Sequence, residues 1–260
     1  MIMFFAGAES KLYWPALDNA NVDSRLESYF YKVKGAKSEP PYSQCKNFLL
    51  DSGGFSARKS GVKIDVRKYA QYLNHYKVKF AFNLDTNDVE ETLRNQKFLE
   101  IATKSYIIPI YHMSDYLNPK TRDMLNDFLA YPFIGVARAR TGENVHEGIM
   151  TFLNYVFSRT GTKTAVHGLA ITTDKYLVQY PFFSVDSTTW LNGTKYGTSK
   201  VYKCPKQLLY RNKRIDYVTR CMDDVIHFKE TARFATNLWK SRGVTWPDSL
   251  EELLPNERSK

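Results

Sequence analysis

The sequence predicts a parallel α/β fold, a (β/α)8 TIM-type barrel, on three observations. Short apolar runs recur along the 260 residues, helical patterns separate them, and polar residues gather just after the runs. The runs are Met1–Ala6, Asn47–Leu50, Phe80–Leu84, Tyr106–Tyr111, Phe133–Ala137, Thr164–Ile171 and Phe182–Val185. They are largely continuous rather than alternating, as strands buried on both faces are. Asp65 is placed to cap a helix carrying Tyr69, Leu73 and Tyr76 at helical spacing. Helical patterns follow at Val89–Ala102 and Arg122–Leu129, and Val145–Phe157 sets Ile149, Phe152, Leu153 and Val156 on one face. An eighth strand is expected near Lys200–Lys203. Lys11–Gln44 breaks the rhythm and reads as an insertion after the first strand. Arg214–Arg242 reads as a long helix packed across the barrel, with a short final helix from Pro247 to Leu254. The expected organisation is one domain, 1–260, with the insertion at 11–44 and C-terminal helices at 214–254. An open doubly wound sheet is the alternative that periodicity leaves standing.

Composition narrows the class. The formal net charge is +10, which attracts polyanions, and aromatics reach 15%, which offers faces for base stacking as well as core. The cysteines Cys45, Cys204 and Cys221 form no CxxC pair, which argues against a zinc finger or dithiol motif. Their odd number, without a secretory leader, points to a reducing cytoplasm. No apolar run approaches the ~20 residues that span a bilayer, so no membrane partner is expected.

In a parallel barrel the functional groups gather at the carboxyl ends of the strands. The second run leads into Asp51-Ser52-Gly53-Gly54-Phe55 and the third into Asn83-Leu84-Asp85. The fourth ends at Tyr111-His112, the fifth crosses Gly135, the sixth carries His167-Gly168, and the seventh ends at Asp186-Ser187. Taken singly, an Asp after a strand is often a helix cap, a glycine pair a turn, and a lone His a satisfied polar residue. Three carboxylates and two histidines sharing one mouth point instead to a site.

The segment Leu49–Phe55, ending Asp-Ser-Gly-Gly-Phe, resembles the signature of the queuine/archaeosine tRNA-guanine transglycosylase superfamily. Later pieces keep the family's order. Ala81–Asp85 is similar to its stretch ending in a base-recognising Asp. Ile108–His112 stands where the family has a strand ending in a base-contacting Gln. Phe133–Ala137 resembles its glycine-bearing strand. His167–Ala170 precedes Tyr180–Asp186 as the family's glycine segment precedes its nucleophile. The resemblance covers roughly residues 45–190. It implies a guanine transglycosylase, a pentosyltransferase, with Asp186 as the nucleophile and Asp51 as the acid/base. Asp85 would read the guanine edge, with Ser52, Gly53, Gly54, Phe55, His112, Gly135 and His167 around the base.

The sequence departs from the tRNA-acting members of the family in three respects: their arginine-bearing stretch after the nucleophile is not recognisable in Ser187–Lys200, the chain is shorter than a typical such member, and their zinc site is missing. The tRNA-acting members carry a CxCxxC-plus-His zinc site, and nothing after Asp186 fits that spacing. The chain is in this most like the compact phage-type relatives that place 7-deazaguanine bases in DNA. DNA is therefore the expected partner, tRNA the alternative, and a base such as preQ0 the second substrate. No metal and no cofactor are expected. The setting would be a bacterial host cytoplasm, and the purpose evasion of restriction. The phosphate grip is expected in the basic stretch holding Lys195, Lys200, Lys203, Lys206, Arg211, Lys213 and Arg214, uninterrupted by any acid between Asp186 and Asp216. A solvated basic face is the plainer reading of it. Three other functions stay open: a base-releasing N-glycoside hydrolase, a nucleic-acid-binding barrel without activity, and a barrel binding a small phosphorylated ligand.

Overall fold

The computed structural model describes residues 1–7, 9–34, 45–138, 148–192, 199–203, 206–210 and 217–254, with the backbone alone along 199–203 and 206–210 and at 217, 219 and 220. Nine parallel strands form one sheet: β1 (Ile2–Ala6), β2 (Ser24–Ser28), β3 (Asn47–Asp51), β4 (Phe80–Phe82), β5 (Tyr106–Ile108), β6 (Ile110–His112), β7 (Phe133–Ala137), β8 (Ala165–Leu169) and β9 (Ser184–Ser187). Their order is β5-β4-β3-β2-β1-β9-β8-β7-β6. The two ends of that order, β5 and β6, are separated in the chain by Pro109 alone, so the sheet curls into a nearly closed barrel. Proline has no N–H to give a ladder. Its carbonyl still accepts from Gly135 N at 2.8 Å, and the Ile108 carbonyl accepts from Asn83 N on the other side at 3.0 Å.

Side chains alternate along each strand as the pleat requires. Ile2, Phe4, Leu26, Leu49, Phe80, Phe82, Ile108, Ile110, Phe133, Ala165 and Phe183 fill the barrel. The intervening residues, such as Met3, Phe5, Ile134, Val136 and Val185, pack outward against helices. Phase is kept across Pro109, with Ile108 and Ile110 inward. Leu250, with Trp246, Leu253 and Leu254 against it, closes the amino-terminal end of the barrel. Its N–H donates to Asn47 Oδ1 at 2.9 Å.

The helices are α1 (Trp14–Asn19), α2 (Tyr29–Val33), α3 (Gly54–Lys59), α4 (Val66–His75), α5 (Val89–Ala102), α6 (Met113–Leu117), α7 (Met124–Phe128), α8 (Ile149–Thr160), α9 (Asp174–Leu177) and α10 (Tyr217–Ser241). Asp65 caps α4 by accepting from Arg67 N and Lys68 N, and α5 spans the expected residues. In α8, Ile149, Phe152, Leu153 and Val156 are buried as their spacing requires. The long α10 packs Cys221, Val225, Phe228 and Ala235 onto the outer core. The expected final helix from Pro247 to Leu254 is reduced to a 3-10 turn, Glu251–Leu253.

Two expectations need correction. Lys200–Lys203 does not join the barrel. It belongs to β10 (Ser199–Lys203), which pairs antiparallel with β11 (Lys206–Tyr210) in a separate two-stranded sheet. The barrel strand missing from the sequence reading is β2, inside the supposed insertion, paired in parallel with β1 and β3. Ser-Arg-Leu-Glu-Ser shows one apolar residue in five. Ser24, Leu26 and Ser28 share a face, while Arg25 and Glu27 point to the other and are neutralised by Asp18 and by Lys32. Apolar runs do not reveal a strand whose outer face carries a buried arginine and a buried glutamate, each held by an ion pair.

Candidate active site

Because all nine strands are parallel, their carboxyl ends open on one face, and the candidate residues collect there. Asp51 ends β3, and its Oδ2 accepts from Gly53 N at 3.0 Å. Gly53 adopts φ +76°, a left-handed conformation that favours glycine. A Cβ there would lie 2.3 Å from Phe30 Cβ and 2.5 Å from Ser28 Oγ, and one at Gly54 would lie 2.6 Å from Asp85 Oδ1. The Gly-Gly pair therefore lets β3 turn directly into α3 with β2 and Asp85 pressed against the turn. Ser52 is fully buried beneath it. Phe55 follows at the rim with half of its surface exposed.

Asp85, after β4, is buried between two cationic or proton-donating groups. Arg58 reaches it from one turn along α3, through Nη2 to Oδ2 at 3.1 Å and through Nη1 to the Asp85 carbonyl. His112, ending β6, brings Nε2 to 3.1 Å from Oδ2. Burial alone would raise the Asp85 carboxyl. The adjacent His112, then Arg58, outweigh burial and hold it at about 2. Asp51 goes the other way. Burial first, then the negative charges of Asp85 and Asp186, push it up to about 7. Two carboxyls on neighbouring strands thus differ in protonation near neutral pH.

Asp186 lies on β9 in register with Phe4, buried at the opposite wall. Its Oδ1 accepts from Ala170 N at 2.9 Å and lies 3.2 Å from His167 Nε2. His167 Nδ1 is 2.8 Å from Ser184 Oγ. The imidazole has no exposed surface and is ringed by Phe4, Phe82 and Phe133. The expected contact between His167 and the base is thereby corrected. A ring caged in the barrel interior lies beneath Asp186 and has no face free to stack. Gly135 sits at the same depth, in register with Ile110 and His167. A Cβ there would lie 2.9 Å from Leu169 Cδ1 and 3.0 Å from Phe82 Cε1, so this glycine makes room inside the barrel.

The mouth thus brings together Asp51, Ser52, Gly53, Gly54, Phe55, Asp85, His112 and Asp186, with His167 and Gly135 one layer below. Of the basic residues, Lys200, Lys203 and Lys206 lie on the β10–β11 hairpin. Lys195, Arg211, Lys213 and Arg214 fall outside the described residues.

Glu9, Ser28, Arg58, Ala170 and Ser184 also touch the site, and no strand-end motif singles them out. Glu9, three residues beyond β1, accepts from Ser28 N at 2.8 Å, and burial raises its carboxyl. Its place just past the first strand is its signal in the sequence. Arg58, four residues after Gly54, was signalled by helical spacing. Among the described residues, no group of three or more His, Cys, Asp or Glu is arranged to hold a metal ion. No helix among them is long and apolar enough to cross a membrane. A cavity of about 340 Å³ at the amino-terminal end, lined by Cys45, Lys46, Phe48, Tyr76 and Lys79 among others, contains none of the mouth carboxylates. In comparison with known proteins, no family model matches the chain, and no curated protein does.

Proposed function

We propose that the barrel mouth is the active centre of a guanine transglycosylase that exchanges guanine in DNA for a 7-deazaguanine base such as preQ0. One observation carries this reading: Asp51, poised near 7, faces the same mouth as Asp85, held near 2, and Asp186, anchored through one oxygen. Base exchange needs three carboxyls in three roles. A nucleophile must hold the sugar, an acid/base must move a proton in both directions, and an ionised acceptor must read the purine. Pairs of carboxyls pushed apart in pKa mark acid/base assignments.

In the first displacement an Asp186 oxygen bonds to C1′ as the bond from C1′ to guanine N9 breaks. The bonding pair leaves with guanine, which takes a proton from Asp51. In the second, N9 of the incoming base bonds to C1′ and gives its proton to Asp51, and the ester breaks to restore the Asp186 carboxylate. Asp85 accepts from the N1–H and exocyclic amine of guanine, a polar match that rejects adenine far better than apolar contact could. The Phe55 ring stacks on the extruded base, since a base inside a helix is out of reach. We take β5 and β6 as one strand interrupted at Pro109, which makes the barrel eight-stranded and places His112 on the fifth strand.

The chemistry acts on DNA, with tRNA the second substrate class, in the cytoplasm of a phage-infected bacterium, where such bases would shield DNA from restriction. Incubation with DNA or tRNA and a labelled 7-deazaguanine, followed by mass spectrometry of the nucleosides, tests this. Label in DNA nucleosides is expected. Label in tRNA alone would overturn the DNA assignment, and no label in either would overturn the exchange. Asp186→Asn is expected to lose exchange by more than about 10³-fold, as loss of a nucleophile does. An acid/base poised near 7 can equally activate water, so a base-releasing hydrolase is the second reading. Free guanine and an abasic product without incorporation would select it.

A further inference from the structure

Asp186 is held asymmetrically, and the asymmetry has a chemical consequence. Both contacts fall on Oδ1: the Ala170 N–H at 2.9 Å and His167 Nε2 at 3.2 Å. Ala170 is a non-glycine residue at φ +53°, a left-handed conformation that a Cβ disfavours. That turn aims its N–H at the carboxylate. His167 is fixed from behind, with Nδ1 2.8 Å from Ser184 Oγ and aromatic rings of Phe4, Phe82 and Phe133 around it. An ionised carboxylate only accepts, so Nε2 must carry the proton. With a single proton on the ring, Nδ1 then accepts, and the Ser184 hydroxyl donates to it. The donors run in one direction, from Ser184 to His167 to Asp186.

We propose that His167 is a positioning residue which, with the Ala170 amide, occupies Asp186 Oδ1 and so assigns Oδ2 as the oxygen that bonds to C1′. This rests on Asp186 being the nucleophile. Two donors on Oδ1 leave the free lone pairs on Oδ2 and stop the carboxylate from rotating. Ester formation at Oδ2 turns Oδ1 into the ester carbonyl oxygen, which keeps both donors, so the clamp need not rearrange between the two displacements. Ser184 acts one step further back. Its hydroxyl selects the tautomer, since a ring protonated at Nδ1 would present a lone pair to the carboxylate. A group that fixes the far nitrogen of a working imidazole sets both its tautomer and its orientation.

The test uses the full chain and has two independent readouts. The first is nitrogen NMR of ¹⁵N-histidine-labelled protein without substrate. The expected spectrum shows His167 neutral and protonated at Nε2, with its Nε2 resonance shifted in Asp186→Asn. A neutral ring protonated at Nδ1 would overturn the clamp whatever the protein's activity. The second readout is exchange kinetics on DNA. His167→Leu is expected to lower kcat by about 10²-fold, the scale of a misplaced reacting group, with KM for DNA changed less than about twofold. His167→Gln, which can still offer an N–H near the Nε2 position, should recover about tenfold of that loss. Ser184→Ala, a smaller change that keeps the ring, is expected to cost kcat about tenfold and provides the same test should His167→Leu fail to fold. Equal losses in His167→Leu and His167→Gln, or wild-type kcat in Ser184→Ala, would overturn the proposal. Wild-type protein without exchange on DNA or tRNA would instead overturn the transglycosylase reading, and the NMR result would stand by itself.

Discussion

Asp51 shows how a single residue ties protonation to both chemistry and stability. Its carboxyl rises from the ordinary 3.8 to about 7, because burial and two neighbouring carboxylates disfavour its charge. Between those two values the folded chain keeps a proton that the unfolded chain has released, so stability falls as pH rises through that window. Above 7 the cost of the buried charge remains in full. Asp51→Asn removes it, so the variant should melt above wild type at pH 8, by about 2–4 °C for each kcal/mol relieved. The gap should close toward pH 4, and a melting difference independent of pH would contradict the assignment. Asp85, lowered to about 2, contributes with the opposite sign. Its stabilisation is present above its ordinary value and lost as pH falls through 2. Two positions away from Asp51 the constraint is steric. Gly53→Ala would combine a left-handed backbone with a Cβ 2.3 Å from Phe30 Cβ, so a loss of roughly 2–4 kcal/mol is expected in urea denaturation.

Among the elements, β2 depends on its neighbours more than on its own composition. Glu27 on its outer face lies 3.0 Å from Lys32 of α2, and both side chains are almost without exposed surface. A buried pair of this kind contributes little over an apolar pair of the same shape, yet losing one member removes the main compensation of the other's buried charge. Glu27→Gln is therefore expected to cost about 3–5 kcal/mol, measured by denaturant unfolding. Replacing both, Glu27→Leu with Lys32→Met, should recover most of that loss. A double variant as unstable as the single one would mean that the pair itself, and not the undercompensated ammonium, matters. Because β2 also backs the Ser28 and Gly53 contacts, the single variant should loosen the Asp51 turn as well.

At the scale of the whole molecule, the proposed function assigns grip to the +10 charge and chemistry to the parallel barrel. Under the proposed function, the basic stretch after Asp186 holds phosphates while the acidic mouth handles the base. Lys203→Ala should weaken DNA binding across all sequences and flatten the log–log salt dependence by about one unit of slope, leaving sequence preference unchanged. A variant that altered sequence preference at constant salt slope would place Lys203 at a base edge instead.

The sequence by itself determined the parallel α/β class and, in its seven apolar runs, the places of every barrel strand but β2, because apolar runs buried on both faces announce themselves through composition. It determined the Asp51–Phe55 turn too, since only glycine fits the geometry at Gly53 and Gly54. It placed Asp85, His112 and Asp186 at strand ends, and parallel strands bring such ends to one side. The tertiary structure alone decided the rest. The strand at Ser24–Ser28 was hidden, because its burial is made acceptable by Asp18 and Lys32 rather than by apolar side chains. The hairpin at Lys200–Lys203 was misplaced, because strand propensity does not say which sheet a strand joins. Which carboxyl is held ionised, which is held near neutrality, and which oxygen of Asp186 stays free also lay beyond the sequence. Those properties come from distances of about 3 Å between residues far apart in the chain, such as Asp85 with Arg58 and His112, or Asp186 with Ala170 and His167. Periodicity along a chain reports which face a residue takes, while charge and orientation depend on what meets it there.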